Sequence, residues 1–375
     1  MKFKRFLDCY IPITTCNFRC NYCYIALQGE FKDRKLELMY DAKTIRRALS
    51  KERLGGPCMI NLCAGGETLI SQEVIEIIYE LLDEGHYLMV VTNGSLTKRF
   101  EEIAKFPQKL LDRLFFKFSF HYLELKRMKL MDRYFGNIKI MDNAGCSYTV
   151  EMTPSDELIP YIDEIKQTCM NYLGTLCHVT IARADRDPSI PHLSELTFDK
   201  YCDVWGKNFN SAMFNFKKSI FYTKRKEFCY AGDWSAYINI GNGEMRKCYG
   251  CRVNQNIYEN IDTPLKFEAI GHGCTQAHCY NGHAFLTFGN IPELNSPTYD
   301  ILRNRVLPDG SEWVKPEMKE AFQTKLVDTN EEYTKKKKAI VNAYTTVSYL
   351  PRVTINYSKK IIKKIIRKPK YSGGK

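Results

Sequence analysis

The stretch Cys16-Asn17-Phe18-Arg19-Cys20-Asn21-Tyr22-Cys23-Tyr24 sets three cysteines at the spacing C-x3-C-x2-C. An iron–sulfur cubane takes four cysteines, so a tight set of three fits a cluster with one iron left open to another ligand. That open iron would be the reactive one. A structural zinc site is the alternative, and it needs a fourth Cys or His to close a tetrahedron. The next His after Cys23 is His86, and Cys9 lies inside a stretch that reads as a strand. The open-cluster reading is preferred, with the surrounding elements as its test.

Around this loop the chain alternates strand and helix patterns. Phe6 to Thr14 is short, apolar and β-branched and runs into Cys16, so a buried strand delivers the loop. A helix over 40–54 stops at Gly55-Gly56, and strand two, Cys58 to Cys63, ends in Ala64-Gly65-Gly66-Glu67. Ser71 caps a helix through Leu82 that ends near Gly85. Strand three (87–91) closes on Thr92-Asn93-Gly94 and is followed by a helix over 96–106. Strand four (114–120), a helical region (123–144), strand five (147–152), a helix (156–172) and strand six (178–182) follow. Six β-α units predict an α/β fold with a parallel barrel or open sheet, whose ligands gather at the carboxyl ends of the strands. The polar residues there are the cysteine loop, Gly65-Gly66-Glu67, Asn93, Ser119, His121, Glu151 and Arg183. Asn93, Ser119, Glu151 and Arg183 each either touch a cofactor or substrate or simply cap a strand end or pair with a neighbour. His121 reads as a polar core residue. Glu67 could be no more than a carboxylate at a helix amino end.

Composition narrows the class. With 375 residues, 44% of them hydrophobic and 13% aromatic, the chain can bury a large core and is not a disordered one. Fifteen cysteines, an odd number scattered through apolar stretches without a signal-like start, argue against a disulfide framework and for a reducing cytoplasm. No apolar run approaches the roughly 18 residues of a membrane span. The net charge of +12 resembles a nucleic-acid signal until it is located: residues 351–375 hold nine cations and no acid, leaving +3 for the rest.

The cysteine spacing, with an aromatic residue (Tyr22) before the third cysteine and Gly65-Gly66-Glu67 at the end of the next strand, resembles the radical S-adenosylmethionine (radical SAM) superfamily. That resemblance implies a partial (β/α)6 TIM-type barrel. It implies that Cys16, Cys20 and Cys23 hold a 4Fe-4S cluster whose open iron binds S-adenosylmethionine, with Tyr22 covering the adenine and Gly65, Gly66 and Glu67 holding the methionine amino group. It further implies reductive cleavage to a 5'-deoxyadenosyl radical that abstracts hydrogen from a substrate, with an electron donor of the flavodoxin or ferredoxin type.

A second cysteine-rich module follows a connector with Pro188 and Pro191. Cys229 precedes an alternating strand (234–240), a Gly241-Asn242-Gly243 turn and a return strand reaching Cys248 and Cys251, a strong hairpin signal. Cys274 and Cys279 follow, with His272, His278 and His283 nearby. The opening, Cys229 to Gly243 to Cys248, resembles the auxiliary-cluster appendage called SPASM with two clusters and twitch with one. Too few cysteines remain for two, so one auxiliary 4Fe-4S cluster on Cys229, Cys248, Cys274 and Cys279 is expected, with Cys251 able to replace one of them. A zinc ribbon is the structural alternative.

The expected organisation is a barrel core over 1–190, a connector over 191–227, an auxiliary-cluster domain over 228–290, a helical extension over 291–350 and a basic amphipathic tail over 351–375. Isoleucines at 361, 362, 365 and 366 line one face of that tail and cations the other. Peripheral contact with an anionic membrane surface, a solvated tail and, less favoured, nucleic-acid binding stay open for it. The expected function is a radical SAM oxidoreductase acting on a peptide or protein, or on a sugar or glycan precursor. The alternative from another class is a non-enzymatic zinc protein whose basic tail binds nucleic acid or membrane.

Overall fold

The computed structural model describes residues 2–23, 38–185, 187–279 and 281–343; Tyr24 and the basic tail lie outside these residues. Strands β1 (Arg5–Ile11), β2 (Cys58–Ala64), β3 (Tyr87–Thr92), β4 (Leu114–Ser119), β5 (Ser147–Met152) and β6 (His178–Val179) pair in parallel, each with the next in sequence. The crossovers carry α1 (Ala42–Ala48), α2 (Lys51–Leu54), α3 (Gln72–Glu84), α4 (Thr97–Ile103), α5 (Gln108–Leu111), α6 (Tyr122–Arg127), α7 (Met131–Asn143) and α8 (Ile162–Leu173). Consecutive order without reversal is the winding of a barrel rather than of a doubly wound sheet. Here β6 ends one side and the barrel stays open.

On the other side the sheet continues. After α9 (Phe198–Phe209) and α10 (Ala212–Ile220), strand β7 (Ser235–Asn239) pairs in parallel with β1, Cys9 opposite Ile238. Strands β8 (Glu244–Arg246) and β9 (Val253–Asn256) follow in antiparallel. The cysteine hairpin is thus part of the same nine-stranded sheet as the barrel. At its turn Gly243 has φ +80°, a conformation open to glycine, and a Cβ there would strike Asn256 of β9.

Side chains alternate across each strand, and the two faces have different partners. Leu7, Ile60, Leu62, Val90 and Phe116 pack with Ile45, Ile77, Ile78, Leu81 and Phe100 of the crossover helices. Phe6, Met59, Tyr87, Met89 and Phe115 face the other way, onto Phe285 of α11 (Gly282–Phe285), Phe288, Tyr299 of α12 (Tyr299–Arg303) and Phe322 of α13 (Pro316–Gln323). Edge-to-face pairs at 4.8 Å (Phe115–Phe322) and 5.3 Å (Phe6–Phe285) add about 0.5–1.5 kcal/mol each beyond area burial. The polar, proline-broken segment after Asn290 therefore joins Phe285 and Phe288 in filling the barrel's inner face.

Several boundaries differ from those read in the sequence, each for a local reason. The helix expected over 40–54 is two, because the Ser50 side chain accepts from Arg53 N and caps α2. The region 123–144 breaks at Lys129, which has φ +55°. The helix expected from Asp156 begins as a 3-10 turn around Pro160, which has no N–H to donate, and becomes α8 at Ile162. Strand six stops at Val179, where Ala182 N turns to donate to the Tyr201 hydroxyl. Among the described residues no helix is long and apolar enough to cross a membrane.

Candidate active site

The carboxyl ends of the strands enclose a cavity of about 590 Å³, lined by Cys16, Cys20, Cys23, Tyr22, Gly65, Gly66, Glu67, Asn93, Ser119 and Arg183 among others. Apart from Glu151, every residue that the sequence placed at the cofactor meets on this one surface. The Glu151 carboxylate instead pairs with Arg303, wholly buried on α12. Burial opposes its charge, but Arg303 and Lys117 hold it below the usual carboxylate range. Glu151 is thus a partner of the barrel filling, the simpler of its two readings.

Backbone contacts fix the cysteine loop to the end of β2. Gly66 N donates to Ile13 O (2.6 Å) and Glu67 N to Thr15 O (2.9 Å). A Cβ on Gly66 would clash with the Thr15 carbonyl and stand 2.8 Å from the Thr14 carbonyl carbon. The glycine is required first by the chain's own approach, a reason that the sequence reading did not find.

Glu67 is 2% exposed. Its Oε1 accepts from Leu69 N (3.0 Å) and Thr92 Oγ1 (2.6 Å), and its Oε2 from Asn93 N (2.7 Å). Burial raises its pKa against these three donors. An ionised carboxylate has about four acceptor sites, so Oε2 retains one for a further donor. Glu67 caps the turn after β2 and also lines the cavity.

Of the three cysteines, Cys16 has two donors turned toward its sulfur. Phe18 N (3.4 Å) and Asn93 Nδ2 (3.8 Å) both donate to Cys16 Sγ, and Asn93 also donates to Asn17 Oδ1 (2.8 Å). Burial pushes the Cys16 thiol up to about 11 and the Cys20 thiol up to about 12. Tyr22 stacks on His121 with centroids 5.9 Å apart, and its hydroxyl lies 2.8 Å from His121 Nδ1. His121, held near pKa 4 by burial, is a neutral partner of Tyr22 and itself lines the cavity.

The second cysteine group is gathered beside the barrel filling. Burial and the facing Cys229, Cys279, Cys251 and Cys274 all raise the Cys248 thiol. Cys251 stands with the four expected ligands, its N donating to Cys248 O (2.9 Å). Among the described residues no three or more His, Cys, Asp or Glu are gathered closely enough to hold a single metal ion. A cluster distributes its cysteines over separate irons and does not ask them to converge on one point. The three thiols on the cavity wall are the donor set of a cluster with one iron left open.

One connection between the second group and strand β1 escaped the sequence reading. Tyr249, between Cys248 and Cys251, donates to Asp8 Oδ2, and Asn281, two residues past Cys279, donates to the same oxygen (3.3 Å) and to Tyr249 Oη (2.6 Å). Asn61 Nδ2 holds the other Asp8 oxygen (2.9 Å). An acid in the middle of an otherwise apolar strand was the available signal.

Residues 10–153 match the family model described as the Radical SAM superfamily. That stretch is similar to the radical SAM domain. No curated protein matches the chain. Among solved structures, Streptococcus suis SuiB bound to the precursor peptide SuiA is 17% identical, with a TM-score of 0.45 over 69% of this chain and 64% of SuiB. The chain therefore spans less than two thirds of SuiB. The structure of anSMEcpe with bound AdoMet is 13% identical, with a TM-score of 0.47 over 68% of this chain and 78% of that one. The matched stretch contains the cysteine loop, Gly65-Gly66-Glu67, Asn93 and Ser119, whereas the second cysteine group lies beyond the matched residues.

Proposed function

We propose that the protein is a radical SAM enzyme with two iron–sulfur clusters, which oxidises or otherwise modifies a substrate held in the cavity. The observation that carries this reading is that Cys16, Cys20 and Cys23 share one cavity wall with Gly65, Gly66 and Glu67 inside the matched domain. When bound, the cluster and S-adenosylmethionine supply a 5'-deoxyadenosyl radical able to abstract hydrogen. The chain's own residues hold and shield. Cys16, Cys20 and Cys23 ligate the first cluster, with Phe18 N and Asn93 Nδ2 turned toward the Cys16 sulfur. Glu67 offers its remaining acceptor site to the cofactor's amino group, and Tyr22 and Ser119 line the same space. The enclosing walls keep water and competing hydrogen donors from the reacting atoms.

Cys229, Cys248, Cys274 and Cys279 ligate the second cluster, with Cys251 beside them. Through Tyr249 and Asn281 this module is hydrogen-bonded to Asp8 of β1, and Asn281 also lines the cavity, which fits an electron acceptor close to the substrate. Anaerobically reconstituted protein is expected to be brown and to carry about eight irons in two four-iron clusters. Given dithionite and S-adenosylmethionine, it releases 5'-deoxyadenosine. Colourless protein holding stoichiometric zinc overturns the reading in favour of the zinc-protein alternative.

A further inference from the structure

Helix α10 has an apolar stripe interrupted by a cation. Its buried face is Met213, Phe214, Lys217 and Ile220, so helical spacing turns Lys217 inward. Lys217 is 5% exposed and lines the cavity. Its Nζ donates to Thr180 Oγ1 (2.6 Å), a neutral partner in the segment after β6.

The carboxylates nearby are already engaged. Glu151 pairs with Arg303, and Asp185 Oδ1 accepts from Arg183 Nε (2.7 Å). Around Lys217 stand the cations Arg183, Arg303 and Lys117, with Glu151 as an opposing acid and Asp185 on the same cavity wall. Burial, with Arg183 and Arg303 adding to it, drives the Lys217 ammonium well below its usual range.

His283 joins this wall from α11. It lines the cavity, and its Nδ1 is buried with no hydrogen-bond partner among the described residues. Gly282 makes the juxtaposition possible, because a Cβ there would strike Ile220 of α10. A buried ammonium and a buried imidazole nitrogen that both lack an acidic partner call for one from a ligand.

We propose that Lys217 and His283, with Arg183 alongside, bind an anionic group of the substrate, a carboxylate or a phosphate. The wall is built by α10, α11 and the segment after β6, not by the cysteine loop and β2, which hold the cofactor. The assignment rests on the radical SAM reading only in naming this second occupant of the cavity. The cofactor's own carboxylate is the other source of the same chemistry, and the test separates the two.

The reconstituted full-length protein is treated anaerobically with a small amine-acylating reagent, and modification of Lys217 is followed by peptide mass spectrometry, with exposed Lys105 as internal reference. Inorganic phosphate, acetate and S-adenosylmethionine are added separately as probes. Phosphate or acetate at about ten times its dissociation constant is expected to slow Lys217 labelling about tenfold by mass action, with Lys105 unchanged. Protection by S-adenosylmethionine but by neither anion assigns the site to the cofactor and overturns the proposal. A Lys217 that is protected by none of them, or that never labels, overturns it as well. Calorimetric binding of S-adenosylmethionine in the same preparation reports on the radical SAM reading by itself, so the two failures are distinguishable.

Discussion

Replacing Gly66 with Ala tests whether this glycine serves the chain or only the cofactor. The added Cβ would lie 2.5 Å from the Thr15 carbonyl carbon and 2.8 Å from that of Thr14, both backbone atoms that cannot rotate away. Relief requires the cysteine loop to move off β2, which breaks the Gly66 N–Ile13 O and Glu67 N–Thr15 O hydrogen bonds. At about 1 kcal/mol for each bond and about 1–3 kcal/mol for overpacking, the expected loss is about 3–5 kcal/mol. The loss is already present in metal-free protein, because nothing in it involves a ligand. Urea unfolding of the apo forms of wild type and Gly66→Ala reads it as a lowered midpoint. If the apo midpoints coincide and only S-adenosylmethionine affinity falls, the glycine serves the cofactor alone and the account of the loop is wrong.

The Arg303–Glu151 pair gives a second test. Arg303→Met leaves a buried carboxylate unpaired and is expected to cost about 3–5 kcal/mol, whereas adding Glu151→Gln recovers much of it; simple additivity in unfolding experiments contradicts the pairing. His86 accepts from Cys58 N through Nδ1 and donates to Leu49 O through Nε2, and burial holds its pKa at about 4. Its folded pKa lies below the usual 6.5, so the unfolded chain binds the proton first, and stability falls as pH drops through 6.5 toward 4. The share of this histidine is about 2 kcal/mol between pH 7 and pH 5, and a His86→Gln variant that keeps the full acid sensitivity of wild type refutes it. Asn93→Ala removes a donor to the Cys16 sulfur. Because hydrogen bonds to cluster sulfurs help set reduction potentials, the potential of the first cluster is expected to fall in a redox titration followed by electron paramagnetic resonance, and an unchanged potential contradicts the contact.

The barrel and the cysteine wall were legible because their signals are local. Strand and helix periods, the Gly85 helix stop and the run from Cys58 to Glu67 each fix a conformation without reference to distant residues. What the sequence hid depends on contacts across long separations. Asp8 meets Tyr249 and Asn281 more than two hundred residues away. Glu151 stands at a strand end as a ligand would, and only the position of Arg303 gives it another task. The C-terminal segment reads as polar and broken, since its buried aromatics, Tyr299, Trp313, Phe322 and Tyr333, lie far apart in sequence and form no periodic stripe. Lys217 was passed over because a lysine in a helix is ordinarily solvated, and only the packing of α10 against α11 turns it inward.

The most direct test of the central claim is a triple Cys16, Cys20 and Cys23 to Ala variant, assayed for iron and for 5'-deoxyadenosine beside the wild type. The account predicts no 5'-deoxyadenosine and about four irons remaining of about eight, held by the second cysteine group. Loss of all iron, or 5'-deoxyadenosine still formed at the wild-type rate, contradicts it.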